Sequence, residues 1–154
     1  MNTSTGAKAR ECPGNQPIPI QPGTFSEPTD QGDVHLLGSE CEDCGQRMFP
    51  ARRRCVRCFG PNLGELALEC DGTLVSLTVV RQAPPGYWGP TPYVLGMVEL
   101  GDGLQVLTHL IGKPVDAWRT GDAVQSCALS LGLDSAGRCV GTSFAFRPTA
   151  RNQA

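Results

Sequence analysis

The sequence predicts a mainly β protein: an extended N-terminal arm, a four-cysteine ribbon, then a closed barrel of five short strands. Three observations predict it. Two Cys-x-x-Cys pairs, Cys41/Cys44 and Cys55/Cys58, stand with ten residues between them. Downstream of them, apolar runs of strand length recur between turn signals. The 19 glycines and 13 prolines among 154 residues favour strands and turns over long helices.

The arm occupies residues 1–34. Up to about residue 31 it is rich in Pro, Gly, Thr and Gln, and Pro13, Pro17, Pro19, Pro22 and Pro28 withhold the N–H groups that regular pairing needs. The expectation is an extended, partly mobile segment, either a tail or an arm that orders against a partner. The opening "MNTSTGAKARECPGNQPIP" lacks the hydrophobic core of a signal peptide. No apolar run approaches the roughly 20 residues that cross a bilayer. A cytoplasmic setting follows as the expectation, and there clustered cysteines serve metals rather than disulfides.

The ribbon, residues 35–64, is built on "CEDCGQRMFPARRRCVRC". Each short pair makes one knuckle, and two knuckles close a tetrahedral four-thiolate shell around zinc. Gly45 and Gly60 permit the tight turns such knuckles need. Iron is the competing metal, since the first pair reads as a rubredoxin-like CxxCG, but the second, "CVRCFG", departs from that pattern. With Cys41, Cys44, Cys55 and Cys58 all coordinating, no position is left for water or substrate, so the zinc is expected to be structural.

Net charge is −2, which argues against a protein living mainly on phosphate backbones. The distribution is uneven: Arg47, Arg52, Arg53, Arg54 and Arg57 outnumber Glu42 and Asp43 by three in residues 41–58, leaving −5 elsewhere. Arg52, Arg53 and Arg54 offer fork-shaped donors for phosphates of RNA, DNA or coenzyme A, or form a solvated or partner-facing surface.

Residues 65–149 supply the barrel, with 150–154 as a tail. "DGTLVSLTVV" places Val75, Leu77 and Val79 on one face. "PYVLGMVEL" and "LQVLTHLIG" join through Gly101-Asp102-Gly103, a good hairpin connection. "AVQSCALSL" alternates with Cys127, Leu129 and Leu131 on one face, and "VGTSFAFRP" closes the set. "KPVDAW" is the one helical turn. Five strands with this break suit a Greek-key barrel of the OB type, although SH3-like barrels read similarly. Between the first two strands, "APPGYWGPTP" carries Tyr87 and Trp88, which either cap the barrel or anchor an interface.

No catalytic residue emerges. His109 lies on an apolar strand and reads as a satisfied barrel residue, while Cys70, Cys127 and Cys139 read as small hydrophobes. Nucleophile elbow, phosphate loop and paired carboxylates are all missing from the sequence. An OB barrel with a zinc ribbon suggests single-stranded nucleic acid as one ligand. The strands, however, lack the interleaved surface aromatics and basic residues of a stacking platform, and Tyr93, Phe144 and Phe146 read as core. A rubredoxin-type electron carrier is a weaker alternative.

The order of these parts resembles a family of zinc-ribbon/OB-fold proteins associated with acyl-CoA metabolism, long catalogued as a domain of unknown function. The resemblance covers about residues 35 to 148. It rests on Phe49-Pro50 with Arg52 between the knuckles, on Pro92-Tyr93-Val94, and on Phe146-Arg147-Pro148. It implies a non-catalytic accessory subunit of a thiolase-type acyltransferase complex, in which the partner holds the nucleophilic cysteine and a two-plus-two assembly forms. It further implies coenzyme A as a ligand shared with that partner, with Arg52, Arg53 and Arg54 as candidates for its phosphates. The 83–92 loop, with Tyr87 and Trp88, then faces the acyl end or the thiolase. Family members commonly begin with helices where this chain has a proline-rich arm.

Overall fold

A computed structural model describes residues 19–87, 89–138 and 140–149. The first 18 residues, Trp88, Cys139 and the tail from residue 150 lie outside the described residues, and with them most of the arm and half of the Tyr87–Trp88 pair.

The ribbon is a three-stranded antiparallel sheet. β1 (Leu37–Cys41) lies between β2 (Arg47–Met48) and β3 (Leu63–Ala67). The barrel follows: β4 (Asp71–Val80), β5 (Tyr93–Leu100), β6 (Gln105–Leu110), β7 (Ala123–Ser130) and β8 (Thr142–Pro148), closing in the order β4-β5-β6-β8-β7. Every ladder is antiparallel except β6 with β8. A five-stranded barrel in this order, closed by that one parallel pairing, is OB topology rather than an SH3-like barrel. The 3₁₀ turn Val115–Ala117 sits where "KPVDAW" predicts it and delivers Trp118, 2% exposed, into the barrel core.

Two faces differ from the sequence expectation. In β4 the ladder to β5 runs Leu74↔Val98 and then Ser76↔Met97, so Val75 is the extra residue of a bulge. The bulge turns Leu74 fully inward and leaves Val75 at 42% exposure, while Leu77 and Val79 still pack on the core. In β7 the core-facing residues are Val124 and Ser126, not Cys127, Leu129 and Leu131. Buried residues lie on both faces of that strand, with Cys127 buried on the far side, and alternation alone cannot tell the two faces apart. Tyr93 is also displaced from its expected place. Its neighbour Val94 belongs to the core, so Tyr93 faces outward and stacks on Tyr87 with ring centroids 4.6 Å apart.

The described end of the arm is part of the fold. β7 pairs with β4 over only three residues, Ala123 to Gln125, and its next free edge is taken by the arm. Asp33 bridges Cys127, and the Ala128 N–H donates to Gly32 O at 3.0 Å. Arg147 clamps the crossing with a 2.6 Å ion pair to Asp33. Val34 and Leu36 are fully buried.

Ribbon and barrel share apolar contacts. Leu36 and Leu68, which flank the ribbon, lie in the barrel core, and the Phe49 ring meets Phe144 edge-on at 5.5 Å. Arg47 on β2 reaches Asp102 in the β5–β6 turn at 3.0 Å, tying the two modules on a second side.

A Cβ on Gly38 of β1 would collide with the backbone carbonyl of Met48, which no side-chain rotation relieves. Gly38→Ala is expected to cost about 1–3 kcal/mol, as overpacking does, read as a lower midpoint in denaturant unfolding with the slope unchanged.

Candidate metal centre

The knuckles are shaped by backbone hydrogen bonds before any metal is considered. The Gly45 N–H donates to Cys41 O at 2.8 Å, and the Phe59 N–H donates to Cys55 O at 3.1 Å. Gly45 takes φ +73°, and a Cβ on Gly60 would stand 2.6 Å from an Asp43 carboxylate oxygen. The positive φ makes glycine the favoured residue at 45, while a side chain at 60 would have to displace the Asp43 carboxylate. Asp43 is itself held by Asn62 Nδ2 at 3.1 Å.

These turns bring together all four predicted ligands. The Cys41, Cys44, Cys55 and Cys58 sulfurs lie within 4.8 Å of one another. The two closest pairs are Cys44–Cys55 at 3.5 Å and Cys41–Cys58 at 3.6 Å. A tetrahedron with Zn–S bonds of about 2.3 Å has edges of about 3.8 Å, so the site fits the ion. The donor chemistry agrees. Cys55 is drawn down to about 6, chiefly by the backbone N–H of Cys58 and also by that of Arg57. The Gly60 N–H pulls Cys58 the same way, yet the neighbouring thiols and burial push it up to about 12. Four sulfurs this close cannot all ionise on their own. A dication resolves the conflict by accepting all four thiolates.

The ligand shell is closed, with Cys41 and Cys55 buried at 1% exposure each. Zinc held this way supplies cross-linking, not Lewis-acid chemistry. The other described thiols, Cys70 and Cys127, are not activated either. Burial pushes Cys127 up to about 11 and also raises Cys70, whose sulfur sits 3.3 Å from His35 Nδ1. The His35–Cys70 contact was not legible in the sequence, because 35 residues separate the partners.

Arg52, Arg53 and Arg54 are exposed and edge a shallow depression with Cys55, Val56 and Phe59. Phe59 is the residue that sequence reasoning missed. It is 72% exposed and holds φ +60°, and its place directly after the second knuckle was the available signal.

Tyr87 stacks outside the barrel with Tyr93 and His109, the latter at 6.3 Å between ring centroids. The Tyr87 and His109 rings line a cavity of about 400 Å³ whose other walls include Pro90, Leu129, Leu131 and Leu133. His109 Nε2 is sealed from solvent and has no hydrogen-bond partner among the described residues. The satisfied histidine expected from the sequence is thus unsatisfied at Nε2, with apolar Leu95 and Ala145 as its cross-strand partners. Burial lowers its pKa.

The domain order decides the relationship. Residues 30–64 match the family described as the ChsH2 rubredoxin-like zinc ribbon domain, and residues 67–128 match the ChsH2 C-terminal OB-fold domain. The chain belongs to the ChsH2/DUF35 family. It is similar to a DUF35 domain-containing scaffold protein of Methanothermobacter thermautotrophicus, with 28% identity over 115 residues, 74% of this chain and 86% of the relative. It is also similar to the benzoylsuccinyl-CoA thiolase subunit BbsA of Thauera aromatica, with 30% identity over 106 residues, 69% of this chain and 70% of the relative. Among solved structures, the Ltp2-ChsH2(DUF35) aldolase superposes with a TM-score of 0.61 at 25% identity, covering 74% of this chain and 84% of that one. No helix among the described residues is long and apolar enough to cross a membrane.

Two outcomes follow for this ChsH2/DUF35 chain. Purified protein should carry one zinc by elemental analysis. Cys44→Ser should lose it and expose β1–β3 to rapid hydrogen exchange while the barrel stays protected. For His109, the folded pKa lies below the unfolded value of about 6.5, so the unfolded chain takes up the proton first as pH falls. Stability is therefore fully present above about pH 6.5 and declines as pH drops toward the folded pKa. His109→Gln should flatten that decline in urea midpoints measured from pH 7.5 to about 5.

Proposed function

We propose that this chain is a non-catalytic accessory subunit of a thiolase-type acyltransferase complex that cleaves or forms a β-ketoacyl-CoA. One observation carries the reading: a four-thiolate site with no open position, in the same ribbon-plus-barrel family as the thiolase subunit BbsA. The similarity to an aldolase complex points the same way, to a partner that handles carbon–carbon bonds.

In the thiolytic direction, a cysteine thiolate of the partner attacks the β-ketone carbonyl. The carbon–carbon bond then breaks, and the departing enolate of the shorter acyl-CoA is protonated. The acyl-enzyme thioester passes to the sulfur of free CoA, whose thiol proton returns to the partner's base. This chain contributes surface and shape to that reaction. Arg52, Arg53 and Arg54 are exposed cations available to CoA phosphates or to partner carboxylates. The Tyr87 loop borders an apolar cavity suited to an acyl group or to the channel leading to it. The complex is a cytoplasmic two-plus-two hetero-oligomer, in which reduced cysteines remain available for zinc.

A second reading, binding of single-stranded nucleic acid, is favoured by one observation, the exposed arginines beside an OB barrel. The net charge of −2 weighs against it.

Co-expression with a thiolase-fold subunit of the same host should yield a complex stable to gel filtration, with acyl transfer shown by the complex and none by the isolated chain. Turnover by the isolated chain would overturn the proposal. So would salt-sensitive oligonucleotide binding in place of any complex.

A further inference from the structure

The second knuckle displays what most folds hide. From residue 51 to residue 59 every side chain except Cys55 is exposed. Two of the largest exposed apolar side chains on the molecule fall here within four residues, Phe59 at 72% and Val56 at 52%. Single exposed hydrophobics are ordinary. This pair is not scattered, because both line one depression together with Arg52, Arg53 and Arg54.

Three features separate this patch from a solvated face. First, Phe59 is presented in a fixed pose. Its backbone is held at φ +60°, its N–H donates to Cys55 O, and its own carbonyl accepts from Arg54 Nη1 at 3.2 Å. A backbone held this way needs little further ordering on binding. Second, the charges are unspent. Arg47, Lys113, Arg138 and Arg147 each have a carboxylate partner, whereas Arg52, Arg53, Arg54 and Arg57 form no ion pair among the described residues. Arg81 and Arg119 also form none, but they stand singly, whereas these four fall within six consecutive residues. Third, the chemistry is that of protein contacts. Phenylalanine and arginine are both enriched at protein interfaces relative to the rest of the surface. A phosphate site would surround its anion with donors, but here the arginines share their walls with Val56 and Phe59. Nor does one lone phenyl ring make a stacking platform for bases.

We infer that this knuckle is the docking surface for the catalytic partner, with Phe59 and Val56 entering an apolar depression rimmed by Asp and Glu carboxylates. The inference rests on the accessory-subunit reading and assigns Arg52, Arg53 and Arg54 to the partner rather than to coenzyme A. Affinity comes from burying the two apolar anchors, and the arginines steer and orient the approach.

The test uses the full chain and the catalytic subunit captured from the native host, with affinity measured by calorimetry. Phe59→Gly removes the anchor while suiting the positive φ, so the knuckle keeps its backbone. It should weaken the complex at least about tenfold, with zinc content and thermal midpoint unchanged. Combined Arg52→Glu, Arg53→Glu and Arg54→Glu should weaken it similarly and abolish its sensitivity to salt. Val75→Ser, on the barrel bulge, should bind as the wild type does. The inference is overturned if both knuckle variants bind within twofold of wild type, or if Val75→Ser weakens the complex as much as they do. A 20-nucleotide single strand retained by wild type and released by the charge reversal, with partner affinity unaltered, also overturns it. If the wild type captures no catalytic subunit, the accessory-subunit reading fails and this inference falls with it.

Discussion

Four sulfurs packed within 4.8 Å of one another impose the constraint that the remainder of the ribbon obeys. Its own hydrophobic cluster is small, with Cys41, Met48 and Cys55 as the buried members. Two of those three are metal ligands. A sheet whose middle and edge strands pair over five residues and over two residues has little else to hold it. Zinc binding is thus folding free energy for this module, and the knuckle turns are the form in which the sequence stores it.

That constraint reaches the barrel through shared residues. Leu36 enters β1 from inside the barrel core, and Leu68 leaves β3 into the same core, so both ends of the ribbon are pinned in apolar packing. Phe49 against Phe144 and Arg47 against Asp102 fix the ribbon's orientation from two further sides. The apolar contacts carry most of the stabilisation, since the Arg47 side chain is 44% exposed and a pair so placed is weak. A rigid ribbon on a rigid barrel is what makes its far tip a defined surface. The same knuckle turn that delivers the Cys55 sulfur inward turns Phe59 outward.

Covalent chemistry with strict spacing was the most legible part of the sequence. Cys-x-x-Cys twice can be satisfied in few ways, so the ligands, the knuckle glycines and the closed shell could all be read directly. The barrel strands were legible as elements because turn residues bracket them. Their faces were less so. Val75 was placed on one face with Leu77 and Val79 because strict alternation has no means of announcing a bulge, and in β7 buried residues lie on both faces, so alternation does not mark the core side. The described end of the arm, from residue 19 onward, packs on the barrel without forming a regular strand. Its prolines forbid a regular strand, but isolated bridges such as Asp33 to Cys127 need only single residues in register. Long-range contacts, His35 to Cys70 and Tyr87 to His109, leave no local trace at all.

The distribution of reactive groups explains why the chain is best understood through what it holds still. The described thiols outside the cluster, Cys70 and Cys127, are raised by burial and therefore protonated near neutral pH, which is the reverse of what a nucleophile needs. The four-thiolate site leaves no open position, and His109 Nε2 has no hydrogen-bond partner among the described residues to orient it as a base. Fixed elements remain: a four-cysteine metal site, a closed barrel, and an aromatic with three arginines displayed at one tip. On the proposed accessory-subunit reading, such a molecule acts through geometry, by positioning another protein's reacting groups or by shaping the path to them. Rigidity then becomes the functional property, and the zinc matters to the chemistry through the surface it keeps in place.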